Sequence, residues 1–340
     1  MSGIYNSVKD NVLGTEVIKK DADTIIVKSD NDSLYNPKPY VSDSELKELA
    51  AHIKGLMKKT QESGAAFLYC AAPVKEVFIA SPQYIENEAR DNYERFISFL
   101  DASDIPTLNL YQRLKQDGAS ENDLFFRTDH HWKPTTGFTA YQAICEELNT
   151  RYGFSYNAEQ LDIDNYTIDD YTNWFLGSSG KKVGTYFTWK GADDFDLITP
   201  KFETHLTESQ PFKNENRTGS FEESVMYTDN INGKDYYNKN PYATYSGGDF
   251  RLQIIKNDLN PSGKKVLIIR DSFANVVTPF LALQTGELHV VDIRDYDYYV
   301  GDRFSVYDYI DEIHPDYVLV LYSMIEPIEK TNSRFYFDLE

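Results

Sequence analysis

Lys265-Val266-Leu267-Ile268-Ile269-Arg270-Asp271-Ser272-Phe273-Ala274-Asn275 carries four consecutive apolar residues into a short polar turn and out into a second apolar run, residues 273 to 284. An unbroken apolar run without alternation is the pattern of a parallel strand buried on both faces. The run after it is long enough for a helix, so the stretch reads as strand, sharp turn, helix. That geometry lifts the Ser272 hydroxyl out of the sheet, where the free amides of a helix start face a developing oxyanion. A serine at a helix start is also an ordinary N-cap, so its meaning depends on its neighbours.

Working outward, the rhythm repeats. Downstream lie strand candidates Leu288-His289-Val290-Val291-Asp292-Ile293 and Tyr317-Val318-Leu319-Val320-Leu321-Tyr322, with a helix expected near 304 to 313. Upstream, Ser42 or Ser44 caps a helix in which Leu46, Leu49, Ile53, Leu56 and Met57 recur at three and four, before the apolar run 66 to 72 and Pro73. A helix around 88 to 101 and a strand near 106 to 110 follow. Five parallel strands with intervening helices imply an α/β fold, a doubly wound and mostly parallel sheet whose ligand cleft lies at the strands' carboxyl ends. Asp129, His131, Ser272, Arg294 and Tyr322 all fall at or just past such ends.

The expected organisation is an α/β domain from 41–151 and 263–340, an N-terminal hairpin or extension over 1–40, and a β-rich insertion over 152–262. Within the insertion Tyr, Thr, Asn, Asp and Gly dominate and helical periodicity disappears, leaving short pieces such as Gly184–Trp189 and Phe195–Pro200. The hairpin rests on the β-branched clusters Val17-Ile18 and Thr24-Ile25-Ile26-Val27.

A second polar constellation interrupts the α/β rhythm at Phe125-Phe126-Arg127-Thr128-Asp129-His130-His131-Trp132-Lys133-Pro134. Residues two apart on extended backbone project to one side, so Asp129 is able to hold His131 in one tautomer while the imidazole faces a cleft. Pro134 suits a first helical turn, and Phe138, Tyr141, Ile144, Cys145 and Leu148 then recur at helical spacing. Paired histidines beside an acid are more often structural than catalytic. The coincidence with Ser272 on the same rim favours catalysis.

Composition narrows the classes. The 340-residue chain holds 54 acidic and 34 basic residues, a net charge of -20, so a nucleic-acid or anionic-membrane partner is not expected. Cys70 and Cys145 lie in apolar contexts and read as core thiols that neither require nor exclude secretion. The start shows no basic n-region or apolar h-region, and no apolar run reaches the ~18 residues of a span. Two readings stand: a soluble chain, or one trimmed of an anchor with Met1-Ser2-Gly3 left by a vector.

Asp129-His130-His131-Trp132 followed by Arg270-Asp271-Ser272-Phe273-Ala274-Asn275 resembles the DHHW-motif proteins, relatives of the alginate O-acetyltransferases within the SGNH-hydrolase-like group. The likeness extends to Ala72-Pro73-Val74-Lys75-Glu76, Phe175-Leu176-Gly177-Ser178 and Asp292-Ile293-Arg294-Asp295-Tyr296. It implies a Ser272, His131, Asp129 triad acting on O-acetyl groups of cell-surface polysaccharide as an O-acetyltransferase or acetylesterase. It also implies an extracytoplasmic location, often beside a membrane-bound O-acyltransferase that supplies acetyl groups. The motif order is circularly permuted: restarting at Lys265 restores serine strand first, acid-base loop last. Where the SGNH group ends its second and third strands in Gly and Asn donors, this chain has Arg294 and Tyr322-Ser323. Arg294, Tyr322 or the Ser272 amide is the expected oxyanion donor, with Asn275 a weaker candidate. His130, Trp132, Asp271 and Lys75 are supporting residues, and no cofactor or metal is called for.

Two other classes remain. Asp129, His130 and His131 with a remote acid suit a metal-dependent hydrolase, although His52, His205, His289 and His314 are scattered singly. A non-catalytic carbohydrate-binding or assembly protein would keep the fold without the chemistry. Trp174, Tyr186, Trp189, Tyr236, Tyr237, Tyr242 and Tyr245 are candidates to stack on sugars, though aromatic enrichment is ordinary in β-structure.

Overall fold

The computed structural model describes residues 17–20, 25–81, 85–115, 119–184, 191–294, 304–323 and 335–338. Its strands, in chain order, are β1 (Val17–Lys20), β2 (Ile25–Lys28), β3 (Leu34–Tyr35), β4 (Ala66–Ala71), β5 (Thr107–Asn109), β6 (Tyr166–Phe175) and β7 (Asp193–Pro200). They continue as β8 (Leu206–Gln210), β9 (Glu215–Gly219), β10 (Leu252–Asn257), β11 (Lys265–Arg270), β12 (Glu287–Val291) and β13 (Tyr317–Tyr322). The main helices are α1 (Asp43–Glu62), α2 (Ala89–Ala102), α3 (Pro134–Tyr152), α4 (Ala274–Gln284) and α5 (Val306–Ile313).

Among the described residues, one sheet holds eight strands in the order β5-β4-β13-β11-β12-β10-β8-β9. The first five are mutually parallel; β4, β11, β12 and β13 are buried, as their continuous apolar runs require, while β5 at the edge is half-buried. Counted from β11, their order becomes 2-1-3-4-5, the other common doubly wound arrangement, with its switch point between β11 and β13. Ser272 stands at that switch point, directly past β11. The α/β fold expected from the sequence is thus the observed one.

Helices cover both faces: α1 packs with α2 and α5 on one side, α3 with α4 on the other. Ser42, not Ser44, caps α1 through a reciprocal box with Glu45, and Leu46, Leu49, Ile53 and Leu56 are buried beneath. Pro134 opens α3 and Gly153, in the left-handed region at φ 69°, closes it. Every residue of α4 is buried, so this helix is apolar all round because it has no solvent face.

Stretch 152–262 contributes to two sheets. Strands β6 and β7 form a separate antiparallel pair, whereas β8, β9 and β10 extend the main sheet antiparallel from β12. The N-terminal hairpin of β1 and β2 gains β3 as a third strand. The piece Gly184–Trp189 lies outside the described residues after Gly184. Among the described residues no helix is long and apolar enough to cross a membrane.

Candidate active site

The Asp129-His131 loop is built before it is functional. Phe125 and Trp132 bridge its two ends, the Phe126 amide donates to the His131 carbonyl at 3.2 Å and the Lys133 amide to Leu124 at 2.9 Å. Lys75, buried after β4, fixes the outer limb by donating Nζ to the Phe126 carbonyl at 3.0 Å, the Arg127 carbonyl at 3.3 Å and Ser33 Oγ at 3.3 Å. Burial pushes the Lys75 ammonium down, and Glu76, Asp193 and Asp129 oppose that shift. From the insertion, Asp193 accepts the Arg127 and Thr128 amides at 2.9 and 2.8 Å.

Inside this frame His131 Nδ1 lies 2.6 Å from Asp129 Oδ1, and His131 Nε2 lies 2.7 Å from Ser272 Oγ. Asp129 Oδ1 also accepts the His131 amide at 3.0 Å, and Oδ2 accepts the Ser178 amide at 2.6 Å. Burial alone would raise the Asp129 carboxyl, but His130, His131 and these hydrogen bonds outweigh it and hold the group well below the carboxylate range. An ionised carboxylate only accepts, so the proton sits on Nδ1 and the Nε2 lone pair receives the serine hydroxyl. Gly177 permits the approach, because a Cβ there would stand 2.2 Å from the Asp129 Cβ.

Aromatic packing sets the imidazole plane. Tyr242 stacks on His131 with centroids 4.1 Å apart at 18°, and Phe273 closes a second side at 5.2 Å. Burial raises the Tyr242 phenol, which stays neutral and donates to the Phe273 carbonyl at 3.2 Å. Trp132 Nε1 donates to that carbonyl at 3.0 Å, so the DHHW loop and the serine turn are joined directly. Asp271 completes the turn: Oδ1 accepts the Phe273 amide at 3.0 Å, while Oδ2 accepts the Ser323 amide at 2.7 Å and hydroxyl at 2.6 Å. It therefore ties the end of β11 to the end of β13.

The four oxyanion candidates differ in their surroundings. The Ser272 amide has no acceptor among the described residues. Arg294 is drawn away by acids: Nε reaches Asp292 Oδ1 at 2.9 Å, and the guanidinium also pairs with Asp249 at 3.1 Å. Burial disfavours that cation, but Asp292, Asp271 and Asp249 outweigh it and raise its pKa. Asn275 donates to Asp249 at 3.3 Å, and its Oδ1 is buried without a partner among the described residues. Tyr322 is buried with its ring edge-on to Phe335 at 5.2 Å.

Asp249 joins these groups and was not singled out from sequence. It accepts from the buried Arg270 at 2.5 Å as well as from Arg294 and Asn275. Its only sequence signal is the pair Gly247-Gly248 before it, both at positive φ. Of the sugar-stacking candidates, Tyr242 and Tyr245 are buried and Tyr242 serves His131 instead. Trp174 donates to the Ile231 carbonyl at 3.1 Å, Tyr236 to Asn173 at 2.8 Å, and Tyr237 is exposed. Tyr186, Trp189, Asp295 and Tyr296 lie outside the described residues.

Asp129, His130 and His131 bring ligand atoms within 4.8 Å of one another, enough to consider a metal. Both His131 nitrogens already have partners, Asp129 and Ser272, and His130 Nδ1 lies 3.2 Å from Ser178 Oγ. A metal would have to displace the hydrogen-bonded line that the loop is built to hold.

Comparison with known proteins agrees with this architecture. Residues 104–291, more than half of the chain, match the family model described as DHHW protein, and residues 30–169 match that of the SGNH hydrolase-like domain, acetyltransferase AlgX. No curated protein matches. Among solved structures, Bacillus cereus PatB1 is similar with a TM-score of 0.72 at 21% identity, over 93% of this chain and 100% of that one. A DHHW family protein from Eubacterium siraeum is similar with a TM-score of 0.65 at 17% identity, over 95% and 94% of the two chains. At such identities the likeness speaks for the fold, and the family match for membership. The chain belongs to the DHHW protein family and carries its SGNH hydrolase-like fold.

Proposed function

We propose that the protein performs acyl-ester chemistry, transferring O-acetyl groups to, or removing them from, a cell-surface polysaccharide through an acetyl-serine. The observation that carries this reading is the continuous line from Asp129 through His131 to Ser272, at 2.6 and 2.7 Å. His131 Nε2 takes the Ser272 proton as Oγ bonds to the acetyl carbonyl carbon; the donor oxygen then leaves with that proton. A sugar hydroxyl, or water, next attacks the acetyl-serine, gives its proton to His131, and Ser272 recovers it. The free Ser272 amide at the switch point is the first choice for stabilising the oxyanion. The name of the AlgX acetyltransferase model supports the acetyl transfer; carbohydrate as partner, an extracytoplasmic site of action and a membrane-bound acyltransferase as acetyl donor are further parts of the same proposal.

The test is p-nitrophenyl acetate turnover by wild type and Ser272→Ala. A loss of about 10³-fold or more is expected from removing a nucleophile that works as a unit with its base. A structure of PatB1 is described with a sulfonyl adduct, which recommends a sulfonyl fluoride as a second probe. Mass spectrometry should then find one adduct, on Ser272, absent from Ser272→Ala. Equal turnover in both proteins would favour a non-catalytic carbohydrate-binding role.

A further inference from the structure

At the end of the sheet opposite the triad, two cavities of about 240 and 340 Å³ share Asn157, Gln160 and Glu203 and make one groove. It lies where the α/β core meets the insertion, walled by the end of α4, the chain after α3, the turn between β7 and β8 and the chain after β10. Ser272 precedes α4 and Gln284 ends it, so about 16 Å of helix separates the groove from the nucleophile. The two sites are distinct.

The floor of the groove is fixed. Buried Gln284 donates Nε2 to the Tyr141 hydroxyl at 2.7 Å and accepts the Asn157 amide at 2.8 Å, and buried Asn257 donates to the Leu283 carbonyl at 2.9 Å. The groups above it are not so engaged. Gln160 and Asn260 make no side-chain hydrogen bond among the described residues, and Asn157 uses only Oδ1, which accepts the Glu159 amide at 3.0 Å. Gln160 Oε1 is buried without a partner among the described residues, a costly state that rotation onto a hydroxyl in the groove would relieve.

A solvent-filled joint between two packed units is the plain reading of a polar groove. The kinds of group that line this one favour a ligand. Carboxamides both donate and accept, the Glu203 carboxylate accepts, and half-buried Phe202 adds a ring held edge-on to Tyr166 at 5.4 Å. A pyranose has the matching surface: hydroxyls that donate and accept around its rim, and an apolar C–H face for an aromatic ring. Charge narrows the class further. Lys201 is already engaged, donating Nζ to the Asp164 carbonyl at 3.0 Å, whereas the Glu159 and Glu203 carboxylates have no partner among the described residues, so an anionic sugar is disfavoured.

We propose that this groove is a second glycan-binding site, remote from the chemistry, that takes an uncharged stretch of polysaccharide. Gln160, Asn157 and Asn260 meet the hydroxyls and Phe202 stacks on a ring. This rests on the polysaccharide reading and adds a holding point to it: a polymer anchored here raises the local concentration of its own units around the triad.

Saturation-transfer NMR and calorimetry with cellotriose, maltotriose and chitotriose test this on the full chain. At least one should bind with a Kd of about 1 mM or tighter, and the one that does assigns plain or N-acetylated sugar. The double variant Gln160→Ala/Asn260→Ala removes two side chains that hold nothing in the fold and should weaken binding about tenfold or more. Asn260→Trp should abolish it by filling the groove, whereas Lys58→Gln, exposed on α1, should leave it unchanged; circular dichroism melts check that each variant is folded. No binding of any of the three sugars, or binding that survives both groove variants, overturns the site and leaves the triad standing. Ser272→Ala should bind the sugar as wild type does, so equal ester turnover in those two proteins overturns the acyl-ester reading without touching the binding result.

Discussion

At the scale of single residues, the decisive group is Asp129 rather than the serine. Its two oxygens do separate jobs, Oδ1 on the His131 ring and Oδ2 on the Ser178 amide, and only a carboxylate accepts at both. In Asp129→Asn the oxygen would stay with the Ser178 amide, leaving an NH₂ against Nδ1. The imidazole would then carry its proton on Nε2 and could not receive one from Ser272. Turnover of an acetyl ester should fall about 10³- to 10⁴-fold, as expected of a wrong tautomer in a triad, with little change in Tm. Circular dichroism melts and kcat together check this, and a loss under tenfold would mean that Asp129 does not set the tautomer.

Elements decide whether those residues meet, and here the loop from Phe125 to Lys133 is the vulnerable piece. Lys75 stands at the end of β4 and holds two of its carbonyls. Lys75→Met would fill the space but leave those carbonyls and Ser33 Oγ short of a donor. A destabilisation of about 2–4 kcal/mol is expected from that loss, read as a lower denaturation midpoint at unchanged slope. The acetyl-ester kcat should fall with it because the loop no longer holds Asp129. Sequence reading reached the parallel strands and the helices of the α/β core because their apolar runs and spacings are unambiguous. It did not reach β8 and β10 as parts of the same sheet. Antiparallel pairing is made by backbone groups, and these strands bury polar side chains: Glu208 accepts from Gln253 at 2.8 Å, Gln210 at 2.8 Å and Tyr227 at 2.7 Å. Such buried polar clusters carry no hydrophobic period to read. Asp249 was hidden likewise, since its partners come from two distant segments, Arg270 and Asn275 around the serine turn and Arg294 past β12.

Across the whole molecule, permuted chain order and folded order are reconciled by the sheet. Motifs 141 positions apart meet through two hydrogen bonds, His131 to Ser272 and Trp132 to the Phe273 carbonyl, at the end of β11. The rim is then locked by charge, with Arg270 and Arg294 drawn to Asp249 and Asp292 from the ends of β11, β12 and the turn before β10. Burial would raise the Asp249 carboxyl, but the two guanidiniums outweigh it and bring it down to about 2. A carboxyl depressed below its unfolded value of 3.8 contributes stability that is fully present above that pH. That contribution is lost as pH falls toward 2. Its side chain is 36% exposed, so solvent screening reduces the linkage to about 1 kcal/mol. Asp249→Asn should cost about 3 kcal/mol at pH 7, since it leaves the buried Arg270 without its nearest anion. The gap between wild type and variant should narrow by about 1 kcal/mol between pH 5 and about pH 2.5, measured by urea unfolding at each pH. A gap that stays constant over that range would mean that Asp249 is not the acid locking the rim.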